Sequence, residues 1–231
     1  MTMKGLFITA TGTEIGKTLV TAALTHQLRQ AGHVVGAIKP IISGITEGEM
    51  EGTDTAIIAS AMGQGLDEAT LDTISPFRYK APLAPSMAAS LEGKVLDYNL
   101  LIETCRKVID HPVFTLVEGV GGAFVPLTDD KLVADWIGDL DLSAIIVAGS
   151  YLGTLSHIIS TLEAMQARGL DVRGIVVSES TGDTPDFDDT LAEIRHWTKL
   201  PVIGIPRLHG AEPWQQAPDL TGLVELDPPA V

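Results

Sequence analysis

The chain has 231 residues, 45% hydrophobic and 19% charged, a composition that can bury a core and excludes an intrinsically disordered protein; no linker divides it, so a single domain over residues 1–231 is expected. Lys plus Arg number 15 against 30 Asp plus Glu, a net charge of −15, which argues against a nucleic-acid binder that would neutralise phosphate backbone with cations. The single cysteine, Cys105, excludes an intramolecular disulfide, a thiolate cluster and a CxxC redox pair and fits a reducing cytoplasm; no run approaches the ~20 apolar residues of a membrane span and no signal-peptide architecture follows Met1, so a soluble, unsecreted protein is expected.

Short β-branched apolar runs alternate with longer amphipathic stretches, the pattern of parallel strands joined by crossover helices. Leu6–Ala10 reads as a buried strand. From Lys17 to Ala31 the residues Val20, Ala23, Leu24, Leu28 and Ala31 recur at helical spacing, and Gly32 is a C-terminal stop. Val34–Ile38 is the next strand. Pro40 forbids its simple continuation, so a loop is expected from there. Glycine and glutamate dominate between Ile41 and Thr53, and Asp54–Met62 then reads as a helix with Thr53 and Asp54 as capping candidates.

Pro76, Pro82 and Pro85 punctuate the next stretch. Pro85–Ala89 opens a short helix with proline in its first turn, and Tyr98–Ile109 is another helix. Val113–Val117 is a strand that stops at Glu118-Gly119-Val120-Gly121-Gly122. Further strands are expected at Ala144–Ala148, Val172–Val177 and Pro201–Ile205, with helices around Leu155–Ala167 and Phe187–Trp197 between them. From Glu212 onward the chain is proline-rich and weakly patterned.

The segment Ala10-Thr11-Gly12-Thr13-Glu14-Ile15-Gly16-Lys17-Thr18 lies between a predicted strand and a predicted helix. Such a loop aims backbone N–H groups and a helix N-terminus at a polyphosphate, with the lysine reaching the β and γ phosphates and the threonine hydroxyl meeting Mg²⁺. The usual first glycine of the pattern is Thr11 here, and glycine appears instead at Gly12. Nucleoside triphosphate binding is the reading that strand, loop and helix together favour.

Glu118 closes an apolar strand before a glycine-rich turn, the place where such enzymes add a carboxylate near magnesium. Asp54 is a second candidate, although by itself it reads as an ordinary helix cap. Thr18, Asp54 and Glu118 together offer the hard oxygens that Mg²⁺ prefers. Lys39 stands at the C-terminal end of a strand, where open α/β sheets gather ligands; alone it reads as a solvated lysine, and the Pro40–Gly44 loop after it carries Ser43 toward the same place. The six histidines are scattered without ligand spacing and support no zinc site. Cys105 reads as a helix core residue.

TGTEIGKT, KPIISG, Asp54, VEGVGG followed by Phe124-Val125-Pro126-Leu127, ADWIGDL and LGTLSH run in order from Leu6 to about Val177, with weaker similarity through GIPRL. This ordered set resembles the dethiobiotin synthetase family, the ATP-dependent ring-closing enzymes of biotin biosynthesis. The resemblance implies a homodimer of doubly wound, mainly parallel α/β subunits of the P-loop NTPase type, with Mg²⁺ and ATP, acting on 7,8-diaminopelargonic acid and CO₂. It assigns Glu14, Ile15, Gly16, Lys17, Thr18 and Leu19 to the triphosphate, Lys17 and Lys39 to catalysis, and Thr18, Asp54 and Glu118 to the metal. Glu118, Gly119, Val120 and Gly121 form its phosphate-side turn. Ser178, Glu179, Pro206, Arg207 and Leu208 fall to the nucleotide, Thr13 to phosphates and substrate alike, and Ser43 to the substrate. Gly153, Thr154, Leu155 and Ser156 fall to a loop that reaches the substrate in the partner subunit.

The chain departs from the family pattern at Ala10 and Gly12, at Ser86, where histidine is frequent, and at Ser156 and Ser178, where asparagine is common. A serine at 178 cannot make an amide's paired contact to adenine, so weakened discrimination for ATP over other triphosphates is expected. Other classes stand beside this one. A partition or septum-positioning ATPase switch carries an early loop lysine, KGGxGKT, where this chain has Gly12, and its membrane-positioning members end in a basic tail, where this chain reads Leu226-Asp227-Pro228-Pro229-Ala230-Val231. An amidotransferase of the cobyrinate type needs a glutaminase domain for which there is no room. A non-catalytic nucleotide-binding regulator would have no use for the Lys39–Ser43 loop.

Overall fold

A strand that is apolar at every position must be covered on both faces, because its side chains alternate sides. The computed structural model, which describes residues 4–45, 51–111 and 113–226, meets that requirement throughout. In chain order the elements are β1 (Gly5–Ala10), α1 (Lys17–Gln30), β2 (Val35–Ile38), β3 (Ile41–Ser43), α2 (Asp54–Ala61), α3 (Glu68–Ile74), β4 (Phe77–Tyr79), α4 (Pro85–Leu91), α5 (Tyr98–Ile109), β5 (Phe114–Glu118), α6 (Val133–Leu140), β6 (Ser143–Gly149), α7 (Thr154–Ala167), β7 (Val172–Ser178), α8 (Phe187–Thr198) and β8 (Val202–Ile205). Two 3₁₀ turns, Pro213–Gln216 and Thr221–Leu223, follow.

Six strands pair in parallel in the order β2-β5-β1-β6-β7-β8. Leu6, Ile8 and Ala10 of β1 share one apolar layer with Ile145 and Val147 of β6, and α1 and α2 cover it with Val20, Leu24 and Ile58. Phe7, Ala144, Ile146 and Ala148 point into the other layer, where α5, α6, α7 and α8 supply Leu101, Trp136, Leu162 and Ile194. The Phe7 and Trp136 rings meet edge to face at 4.9 Å. This is the doubly wound α/β arrangement. The chain leaves β1 toward β2 and leaves β6 toward β7 and β8, so connections part at the carboxyl ends of neighbouring central strands, where such sheets bind ligands.

Pro40 does end β2, but the loop expected from Lys39–Pro40 onward is corrected. The chain becomes extended again at once as β3, which pairs in parallel with β4 in a separate two-stranded sheet, Ile41 opposite Phe77 and Ser43 opposite Tyr79. Pro40 still joins that pairing through its carbonyl, which accepts from Phe77 N at 2.9 Å. Residues 46–50 of the glycine- and glutamate-rich stretch and 227–231 of the tail lie outside the described residues. Thr53 caps α2, its hydroxyl accepting from Ala56 N at 3.2 Å, which leaves the Asp54 side chain free for other work.

Candidate active site

The loop between β1 and α1 turns on two left-handed residues, Glu14 (φ 57°) and Gly16 (φ 100°). Alternation of hand along a short segment turns successive N–H groups toward one concavity, an anion nest, and the start of α1 adds its dipole. Glycine is required at 16 for a second reason: a Cβ there would lie 2.5 Å from Ser178 Oγ. The glycine-rich turn after β5 packs its backbone directly on this loop, since a Cβ on Gly122 would stand 3.2 Å from the Ala10 carbonyl and 3.3 Å from Gly12 N.

Strand register brings the charged side chains together. Ile38 of β2 lies opposite Val117 of β5, and Ile8 of β1 opposite Glu118, so Lys39 and Glu118 emerge side by side at the carboxyl end of the sheet. The Lys39 ammonium donates to Glu118 Oε1 at 2.8 Å and to the Asp54 carboxylate. Thr18 Oγ1 donates to the same Glu118 Oε1 at 2.8 Å. Glu118 is fully buried, and its other oxygen, Oε2, has no hydrogen-bond partner among the described residues. A buried carboxylate oxygen left so is a site for a cation or a donor. Thr18, Asp54 and Glu118 converge as hard oxygens, a donor set that fits Mg²⁺.

Burial works against the charge of Lys39, but Glu118 and Asp54 outweigh it and hold the amine above its usual value. Asp54 is the counterpart: burial pushes its carboxyl up, and the charge and hydrogen bond of Lys39, with Thr18 and Lys17 behind them, bring it below the usual value. Lys17 donates to the Gly12 carbonyl at 3.1 Å. Burial lowers its pKa to about 8, with Lys39 adding to that effect and Glu118 and Asp54 opposing it.

A cavity of about 650 Å³ opens over this cluster, bounded by Thr13–Leu19, Lys39, Ser43, Asp54, Val120 and Gly121 and walled by Pro82, Leu83 and Val125. A second cleft of about 450 Å³ shares Glu14–Gly16 and Leu19 with it and runs on past Ser178, Glu179, Arg207 and Leu208 to His209 and Pro213. Ser178 Oγ is buried there without a hydrogen-bond partner among the described residues, and the Glu179 carboxylate accepts from Arg207 N at 2.8 Å.

The AAA domain family matches residues 4–213. The ATP-dependent dethiobiotin synthetase BioD of Caulobacter vibrioides (strain NA1000 / CB15N) is 44% identical over 208 residues, covering 89% of this chain and 93% of the relative. That of Bacillus subtilis subsp. natto is 35% identical over 209 residues, covering 89% and 88%. The chain belongs to the ATP-dependent dethiobiotin synthetase family. Solved structures with the same fold include a ParA family ATPase from Chlorobium tepidum TLS (TM-score 0.53, 19% identity, 89% of this chain and 84% of that one). The MinC:MinD cell division protein complex of Aquifex aeolicus is another (TM-score 0.52, 14% identity, 87% and 81%).

Against the dethiobiotin synthetase pattern, the residues named from the sequence divide in three. Thr13 to Leu19, Lys39, Ser43, Asp54, Val120 and Gly121 line the larger cavity, with Glu118 beneath it; Ser178, Glu179, Pro206, Arg207 and Leu208 line the second cleft. Gly119 lies at the start of the turn after β5. Its N–H donates to the Ile8 carbonyl at 2.9 Å and a Cβ on it would press on the Phe7 ring at 2.8 Å, so it prolongs the β1–β5 pairing and has no donor left for a phosphate. Gly153, Thr154, Leu155 and Ser156 open α7 outside both clefts of their own chain, and Thr154 Oγ1 is spent on the Gly149 carbonyl at 2.6 Å. Ser86 faces a different hollow, with Lys94 and Asn99.

Among the lining residues that sequence reasoning missed are Pro82, Leu83, Val125, Ser180, His209 and Pro213. The Phe124-Val125-Pro126-Leu127 motif held a signal for Val125. Ser180 is fixed by a reciprocal pair, Ser150 N to Ser180 Oγ at 3.0 Å and Ser180 N to Ser150 Oγ at 2.9 Å, which joins the ends of β6 and β7 and has no local sequence signature.

Proposed function

We propose that this chain closes the ureido ring of dethiobiotin from 7,8-diaminopelargonic acid and CO₂ at the expense of ATP, releasing ADP and phosphate. The observation that carries the reading is the buried Lys39–Glu118–Thr18 cluster at the mouth of a phosphate loop, under a cavity with room beyond the nucleotide for a second substrate. One substrate amine and CO₂ form a carbamate with loss of a proton. A carbamate oxygen attacks the γ-phosphorus and ADP leaves, giving a carbamic–phosphoric anhydride. The neighbouring amine then attacks the carbonyl carbon, loses its proton, and expels phosphate as the five-membered ring closes.

The residues serve this by position and charge. Backbone N–H groups of Glu14–Thr18 and the Lys17 ammonium hold the triphosphate, and Lys39, kept charged by Glu118 and Asp54, faces the oxygens of the transferring group. Thr13 and Ser43 border the space left for the carbamate. Thr18, Asp54 and Glu118 would hold Mg²⁺, with the unpaired Glu118 Oε2 supporting that placement. When bound, the ion supplies positive charge toward the phosphates. The chain's net charge of −15 repels anionic ligands at long range, so the loop N–H groups, Lys17 and a metal ion that offsets the two carboxylates are what would admit them locally.

A homodimer is part of the reading. Exposed apolar Met87, Leu91 and Val95 follow directly on the Pro82–Ala84 wall of the cavity, and the Gly153–Ser156 start of α7 lies outside its own chain's clefts, where it would face a partner's substrate. No helix among the described residues is long and apolar enough to cross a membrane; small molecules, rather than nucleic acid or lipid, are the proposed partners, in the cytoplasm, with one domain per subunit. Gly12 at the place of an early loop lysine speaks against the partition-type switch. Isotopically labelled bicarbonate tests the reaction: label in a product with the mass of dethiobiotin is expected, and an unlabelled or absent product would reject it.

A further inference from the structure

After β8 the chain does not leave the molecule. Its first residues, Leu208, His209 and Pro213, wall the outer end of the second cleft. The next ones cross α1, where Trp214, Leu220 and Leu223 bury themselves in the α1 layer and the Trp214 ring meets His26 edge to face at 5.1 Å. One polar side chain of α1 holds this strap at three points. The Gln27 amide nitrogen donates to the Ala217 carbonyl at 3.2 Å and to the Pro218 carbonyl at 2.8 Å, while its Oε1 accepts from Leu220 N at 2.9 Å. A carboxamide is the group that can give two hydrogen bonds and take one within a single planar end.

Gln27 sits about ten residues along α1 from Lys17, roughly 15 Å from the phosphate end of the helix, so it touches neither phosphate nor reacting atoms. What it does is join two parts of the nucleotide site. The N-terminus of α1 places Lys17 and Thr18 in the larger cavity, and the strap places Leu208, His209 and Pro213 at the far end of the cleft that joins it at Glu14–Gly16. We infer that Gln27 is a positioning residue for the nucleotide, fixing the base-side wall of the cleft at a set distance from the phosphate loop. The inference rests on the ATP reading above and adds to it a residue remote from every motif of the sequence.

The chemistry of the clasp selects the variants. Gln27→Glu keeps the shape but turns a carboxylate oxygen toward two carbonyls, and Gln27→Met keeps the length with no hydrogen bonds at all. ADP and inorganic tripolyphosphate, each with Mg²⁺, are titrated by calorimetry into the full-length protein and both variants. Both variants are expected to lose affinity for ADP by about tenfold, equivalent to about 1.4 kcal/mol, with affinity for tripolyphosphate, which has no base or sugar, within about twofold of the unsubstituted protein. In turnover, KM for ATP rises while KM for the diamine does not. Unchanged ADP affinity in either folded variant, or equal loss for ADP and tripolyphosphate, overturns the inference and leaves the ATP reading intact. If the unsubstituted protein binds tripolyphosphate but not ADP, both fall. Should one variant melt below the assay temperature, the other decides.

Discussion

Lys39 and Glu118, 79 residues apart in the chain, form a hydrogen-bonded ion pair at 2.8 Å with the carboxylate fully buried and the ammonium nearly so. Adjacent parallel strands β2 and β5 deliver them to the same point, and Asp54 brings a second carboxylate to the same ammonium from the start of α2. A buried pair of this kind contributes little net stability, yet removal of one member leaves the other as an unpaired charge in the interior.

Lys39→Met is therefore expected to act twice. Turnover at saturating substrates falls by about 10²–10³-fold, the usual loss when a positioned donor to a developing anion is removed, and unfolding free energy drops by about 3–5 kcal/mol. Adding Glu118→Gln recovers much of the stability and none of the turnover. Steady-state kinetics and urea unfolding of the single and double variants check this; full turnover in Lys39→Met would remove Lys39 from the mechanism.

The legible part of the molecule was what is buried on both faces or spaced at a helical period. All six strands of the main sheet appear as apolar runs, and Tyr98–Ile109 matches α5 end for end. β3 and β4 were not legible: each has three residues, stands beside a proline, and exists through a pairing between residues as distant as Ile41 and Phe77. α3, seven residues long, buries only Leu71 and Ile74 and depends on the Asp67 cap, too little to mark a helical period. α6 lay unread as a helix inside ADWIGDL although it buries Trp136 and Ile137; its start is fixed by Asp135 accepting from Leu132 N, not by a Ser or Thr. In the site, motif positions along one segment were readable, whereas the sharing of one Glu118 oxygen by Lys39 and Thr18, and the Gln27 clasp, depend on register and docking that no local pattern carries.

Ser178 bears on base preference. Its hydroxyl is buried in the second cleft without a hydrogen-bond partner among the described residues and gives and accepts through a single oxygen, where an amide would offer a separate donor and acceptor side by side to a purine edge. Selectivity for ATP over GTP, CTP and UTP is expected to stay below about tenfold, since strong discrimination needs site groups that the wrong base leaves unpaired. Competition among the triphosphates in the ring-closing assay measures it, and a preference of several hundredfold would contradict it.

Acid should unfold the protein through carboxylates stabilised in their charged form. Asp139 is held low chiefly by the Tyr98 hydroxyl at 2.8 Å, with Lys131 assisting, and Asp219 by Thr221. A folded-state value below the ordinary aspartate value of 3.8 means that this stability is fully present above that pH and is lost as pH falls through the folded value. The melting temperature is expected to decline below about pH 4, and less steeply in Asp139→Asn.

Cys105 has no exposure, and burial pushes its thiol up to about 12. Alkylation by iodoacetamide at pH 8 should be negligible in the native protein and complete in denaturant, because the reacting species is the thiolate. Mass spectrometry reads the adduct; rapid labelling of the native protein would contradict the buried placement.

The central claim is tested most directly by phosphate release with ATP, 7,8-diaminopelargonic acid, bicarbonate and Mg²⁺ together, and with each omitted in turn. Release is expected to fall to background whenever any one is missing, because the phosphoryl acceptor is the carbamate of the diamine and not water. Release that continues undiminished without the diamine would contradict the account and favour an ATPase switch.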